Sequence, residues 1–179
     1  MAEAAGVNPA AFAELFERHH GRVYGYLRKL TGTSDGAHDL TQETFLLAFR
    51  SRATYEARGF FEAWLYRIAT NLARARIQRS RCEPTPLDGS DADARAPQLA
   101  VEDRPSSALE EADMRRIVEQ ALGRLSSEER EVVLLRHFEG MKFREVAATL
   151  GISESTVKSR MRYAMDKLAN VLRPYRERV

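Results

Sequence analysis

The sequence predicts an all-α protein of two small helical domains, an N-terminal helical bundle and a C-terminal helix-turn-helix domain joined by a flexible linker. Three observations predict it. Apolar residues recur at helical spacing over most of the 179 residues. Glycines and capping residues punctuate those stretches. One stretch without any period, rich in proline and acids, divides the chain.

In chain order, Asn8 caps a first helix with Pro9 at its first position. Phe12, Leu15, Phe16, Val23, Leu27 and Leu30 form its apolar stripe, and Gly32 ends it. A second helix begins at Ser34, with Leu40, Thr44, Leu47 and Ala48 inward. A third runs from about Phe60 to Arg79 and buries Trp64, Leu65, Ile68, Leu72 and Ala75. These three share a first domain over 8–82, enough for a small bundle.

Residues 83–106 hold prolines, a glycine and acids without helical spacing, and read as the linker. The second domain covers 107–175. Ser107 with Glu110 makes a capping box for a helix that carries Leu109, Ile117 and Ala121. Ser126 with Glu129 makes another, for a helix that carries Val132, Val133, Leu135 and Phe138 and stops at Gly140.

The most informative stretch follows. Phe143, Val146, Ala147 and Leu150 lie at i, i+3, i+4 and i+7, one buried helix face. Gly151 is free to take positive φ and end that helix in a sharp turn. Ile152 plugs the turn and Ser153 caps the next helix, whose buried face is Val157, Met161, Ala164 and Leu168. Ser155, Lys158, Ser159, Arg162 and Tyr163 occupy its opposite face. Cationic and hydroxyl side chains on such a helix suit base edges and phosphates in a major groove.

Charge supports a polyanionic partner. The net charge of +2 is small, but it is segregated. Arg67, Arg74, Arg76, Arg79 and Arg81 stand without an acid between Ala63 and Cys82. Six acids against two arginines follow in the linker, and the last helix is basic again. Two basic faces suggest two contacts with one polyanion. The single cysteine, Cys82, rules out an internal disulfide. No apolar run reaches membrane-spanning length, so no membrane insertion is expected and the cytoplasm is the expected compartment.

No metal, cofactor or catalytic motif is present. Asp88, Asp91 and Asp93 lack the glycine and glutamate placement of a calcium loop. His19 and His20 are adjacent and point apart on a helix, a poor metal pair. A catalytic role therefore has no residues to carry it.

These residues together resemble one family, the bacterial extracytoplasmic-function (ECF) sigma factors of the sigma-70 superfamily. HDLTQETFLLAF (His38–Phe49) is similar to the family's polymerase-binding helix. FFEAWLYRIATNLARARIQR (Phe60–Arg79) resembles its promoter-melting helix. The stretch Leu125–Leu168 resembles its DNA-binding domain.

The resemblance implies a protein, not an enzyme, that binds core RNA polymerase, directs it to promoter DNA and helps to open that DNA. It also implies an anti-sigma factor as a partner. At the −35 element, Lys158, Ser159 and Arg162 match the family's base-reading positions, with Thr156, Arg160 and Arg144 suited to phosphates. At the melted −10 element, Asn71 and Tyr55 match the pocket for an unstacked base. Arg67, Arg74 and Arg76 supply cations for that strand. Many members have phenylalanine where Tyr55 stands, and Arg162 replaces a frequent aromatic or histidine. Asp39, Leu40, Gln42, Glu43 and Phe45 match the polymerase-contacting helix. Periodicity alone leaves Phe45 open between an exposed hot spot and the bundle core. Trp64 reads as core.

Overall fold

The computed structural model describes residues 9–52, 55, 61–82 and 106–176. Asn8, Phe60 and the segment 83–105 lie outside the described residues, as do the side chains of Cys82, Ser107, Leu109 and Glu110. Seven helices make up the described chain. The first three are α1 (Pro9–Thr31), α2 (Ser34–Arg50) and α3 (Phe61–Cys82). Then follow α4 (Ser106–Gly123), α5 (Ser127–Val133), α6 (Phe143–Leu150) and α7 (Glu154–Arg176).

The first three helices form one unit whose interior holds Val23, Leu27 and Leu30 of α1, Leu40 and Ala48 of α2, and Leu65 and Ala69 of α3. At its centre the rings of Tyr26 and Tyr66 meet edge to face, 5.2 Å apart. The Tyr26 hydroxyl lies 2.8 Å from Thr70 Oγ1, which satisfies both buried groups. Burial pushes the Tyr26 phenol well above its ordinary range, so it stays neutral.

The second unit is built from local signals that the sequence displays. Ser126 Oγ accepts from the Glu129 N–H at 3.2 Å, and the Glu129 carboxylate accepts from the Ser126 N–H at 2.9 Å. Burial alone would raise the Glu129 pKa. Lys167 Nζ, 2.8 Å from both carboxylate oxygens, helps to hold it below the usual value and ties α5 to α7. Gly151 has φ 66°, the left-handed geometry that closes the turn between α6 and α7. Ser153 Oγ then accepts from the Thr156 N–H at 3.1 Å and caps α7. Val157 and Ala164 are fully buried beneath that helix.

Two features depart from the sequence reading. The helix that contains α5 does not end as an α-helix: Leu134–Phe138 is a π-helical turn, with Glu139 N–H donating to Leu134 O at 3.1 Å. It leaves Phe138 45% exposed, beneath the Lys29 ammonium, where the apolar stripe placed it inward. In α3, Ala75 is exposed because it lies one turn on from exposed Asn71, off the buried stripe of Leu65, Ala69 and Ala73.

The two units are docked. Every residue from Glu131 to Leu135 is buried, which an amphipathic helix on a single partner cannot achieve. One side of this segment faces α7 and the other faces α1. Across the junction, Thr149 Oγ1 donates to Ala63 O at 3.3 Å and Arg130 Nη1 donates to Leu30 O at 3.3 Å.

His19 of α1 sits near this junction, 6% exposed, and its Nδ1 finds no hydrogen bond; Glu62 Oε1 is 3.8 Å away. Burial lowers its pKa below 6.5, with Glu62 opposing and Arg22 and Arg18 assisting. A folded pKa below the unfolded one means that stability is full above the unfolded value and is lost as pH falls through it. Thermal unfolding should therefore occur at lower temperature at pH 5.5 than at pH 7.5, and His19→Gln should reduce that difference. An unchanged difference in the variant would assign the acid sensitivity to other groups.

Candidate nucleic-acid interface

Trp64, Arg67, Asn71 and Arg74 follow at i, i+3, i+7 and i+10 along α3, so they share one stripe of the helix. At its N-terminal end Tyr55 stacks obliquely on Trp64, centroids 4.9 Å apart, and meets Phe61 edge to face at 5.8 Å. Trp64 is partly buried against the core, as expected, yet it also forms the wall on which Tyr55 rests. Arg67 and Asn71 are exposed. The structure thus places an aromatic shelf, an amide and cations in succession, the components needed to stack bases and hold a strand.

Two arginines of the expected set behave differently. Arg74 is engaged: its Nε and Nη2 donate to the two carboxylate oxygens of Glu131, at 2.7 and 2.6 Å. Arg76 lies off the stripe and turns toward α2, with Nη1 3.7 Å from Asp39 Oδ2. It therefore sits beside the α2 surface instead of with Asn71. Gly36 allows this approach, since a Cβ there would come within 3.3 Å of the Arg76 side chain.

The second surface is α7. Ser155, Lys158, Arg162 and Tyr163 are exposed along it, and Ser159 is half-buried with its hydroxyl donating to Thr156 O. Lys158 makes an intrahelical pair with Glu154 at 2.8 Å, weak and solvent-screened, which an incoming phosphate can displace. The Thr156 hydroxyl lies 2.7 Å from Ser153 Oγ within the cap. Arg160 is half-buried and Arg144 is exposed on α6. The sequence reading placed Tyr163 on this face without giving it a role. It is 53% exposed, with the Arg162 guanidinium 5.0 Å from its ring centroid.

On α2 the structure corrects the reading. Leu40 is 1% exposed and Phe45 4% exposed. Phe45 meets Phe16 edge to face at 4.8 Å inside the bundle. Neither can be a surface contact, because residues 40, 44, 45 and 48 form the inward stripe of the helix. The outward face holds His38, Asp39, Gln42, Glu43 and Leu46. Leu46, 48% exposed, is the apolar residue on that face. The signal for it was available: a leucine in phase with Asp39, Gln42 and Glu43 falls outside the buried stripe.

The chain thus combines a three-helix unit that carries an aromatic and basic helix with a helix-turn-helix unit. Residues 15–82 match the family Sigma-70 region 2, and residues 115–168 match Sigma-70, region 4. The ECF RNA polymerase sigma factor SigE of Mycolicibacterium smegmatis is 36% identical over 162 residues, covering 89% of this chain and 60% of that protein. The RNA polymerase sigma factor CarQ of Myxococcus xanthus is 35% identical over 164 residues, covering 90% of this chain and 89% of CarQ. Among solved structures, CnrH in complex with the cytosolic domain of CnrY superposes with a TM-score of 0.68 at 28% identity, covering 94% of this chain and 91% of CnrH. RpoE in complex with the anti-sigma factor NepR from Bartonella quintana shares the fold, with a TM-score of 0.73 at 24% identity, covering 91% of this chain and 97% of RpoE. The chain belongs to the ECF sigma factors. Among the described residues no helix is long and apolar enough to cross a membrane.

The corrected α2 assignment is testable on the chain alone. Phe45→Ala should lower unfolding stability in urea by about 3–5 kcal/mol, as expected for a truncated core aromatic. Leu46→Ala should change it by less than about 0.5 kcal/mol. Equal effects would place both residues in the same environment.

Proposed function

We propose that the chain is a promoter-specificity subunit of bacterial RNA polymerase. It binds core polymerase through the outward face of α2, reads the −35 element in duplex form with α7, and captures the melted −10 strand along α3. One observation carries the reading: separate basic helices on two helical units, one suited to a major groove and one to unstacked bases, accompany a third, polar helix face with an apolar centre. That arrangement serves a protein that grips DNA twice while attached to a larger enzyme.

Each role follows from chemistry. On α7, Lys158 and Arg162 are long cations that reach base acceptors, and Ser159 contributes a short hydroxyl. Thr156, Arg160 and Arg144 set the register on phosphates. On α3, Tyr55 and Trp64 offer stacking surfaces, Asn71 presents donors and an acceptor to a base edge, and Arg67 and Arg74 hold the strand. Asp39, Gln42 and Glu43 form a polar rim around Leu46 for the polymerase contact. The protein acts as a transcription factor in the cytoplasm, without catalysis or cofactor of its own. RpoE is captured with the anti-sigma factor NepR and CnrH with the cytosolic domain of CnrY, and an anti-sigma factor is proposed as a partner of this chain.

In vitro transcription with core polymerase tests the reading. Lys158→Ala with Arg162→Ala should reduce −35-dependent initiation roughly tenfold or more, at about 1–3 kcal/mol per lost base contact. Asn71→Ala should slow open-complex formation and leave polymerase binding intact. Start-site selection that is unaffected by any of these variants would overturn the assignments.

A further inference from the structure

We infer that the chain inhibits itself: its C-terminal unit docks on α1 and α3, where Glu131 occupies Arg74, a cation that the open protein offers to DNA, and Glu139 fastens the dock on Tyr66 and Arg22. The inference rests on α3 being the strand-capturing helix proposed above.

The contacts have the character of a latch. Glu131, 2% exposed, lies within the buried run of α5, where a carboxylate without a cation is strongly disfavoured. The guanidinium that answers it belongs to Arg74, in the other unit. The pairing is bidentate, the geometry by which arginine also holds a phosphate. Eight residues on, the Glu139 side chain, 7% exposed, accepts from the Tyr66 hydroxyl and from Arg22 Nε at 3.2 Å. Arg22 Nη2 donates in addition to the Glu139 carbonyl at 3.1 Å. A rim pair, Arg28 with Glu119 at 2.9 Å, lies outside these two. Carboxylates on one unit thus meet donors on the other, and Glu131 stands where a strand phosphate would stand.

Geometry makes docking and promoter binding exclusive. The −35 and −10 elements lie about 25 base pairs apart, roughly 85 Å along B-DNA. A docked globule of this length has a radius of gyration of about 16 Å and is only about 40 Å across. One compact body cannot touch both elements, whereas the segment from Cys82 to Ser106 can extend to at most about 80 Å and lets separated units do so. Separation is feasible because buried ion pairs recover little beyond their own desolvation, and both carboxylates regain water on opening.

Small-angle scattering and DNA binding by the full chain, without polymerase, test this. The wild type should scatter as a compact particle near the about 16 Å of a single globule. Glu131→Gln with Glu139→Gln should enlarge it by several ångströms and raise affinity for labelled oligothymidylate by about tenfold, within the usual range of coupling between sites. Tyr66→Phe, which preserves the ring packing, should move both quantities in the same direction by less, and it decides the matter if the double variant unfolds. A wild type already extended, or variants as compact and as weakly binding as the wild type, would overturn the latch. Expansion in a chain that nevertheless fails to direct polymerase would uphold the latch and refute the promoter role. Initiation with no expansion would do the reverse.

Discussion

Burial of five consecutive residues, Glu131 to Leu135, is the constraint around which the molecule is arranged. A helix covered on every side needs partners on every side. Its own unit supplies one of them through α7, and the N-terminal unit supplies the other through α1. Within that run the charge of Glu131 must be compensated, and Arg74 compensates it from 57 residues away in the chain. The apolar contact and the ion pair are therefore one requirement, since closing the first buries the carboxylate that demands the second.

On the proposed reading, α3 has two uses that cannot be met together. It is packed against the C-terminal unit on one side and carries Arg67 and Asn71 toward solvent on another, with half-buried Tyr55 resting on its first turn. The α7 face and the outward face of α2 remain open in the docked molecule. Docking thus leaves α7, proposed to read the groove, and the α2 face accessible, and withdraws only part of α3, the helix proposed to hold the strand.

What was legible in the sequence was local. Gly151 with Ser153, and Ser126 with Glu129, are signals contained within a few residues, and each takes the backbone or hydrogen-bond geometry it implied. Helical stripes located the core of α1 and most of α2. Phe45 was ambiguous because two adjacent residues can share an inward face. Only packing against Phe16 decides it, a contact made between helices. The Arg74–Glu131 pair had no local sign, and a solvent-facing arginine was the natural reading of a basic helix. A hint existed in Val132–Val133–Leu134–Leu135, a run too continuous for a helix with one wet side.

The π-helical turn has a consequence for how this surface tolerates change. On an ideal α-helix, positions 131 and 139 would be rotated about 80° from each other. The wider i→i+5 turn over Leu134–Phe138 unwinds most of that angle, which aligns both acids with the same neighbouring helix bundle. The turn therefore absorbs one extra residue while keeping the two acids in phase. Removing one residue there would restore regular winding with the acids seven steps apart, about 20° from alignment, so the contact would survive; regular winding at full length would instead swing Glu139 away from Tyr66 and Arg22.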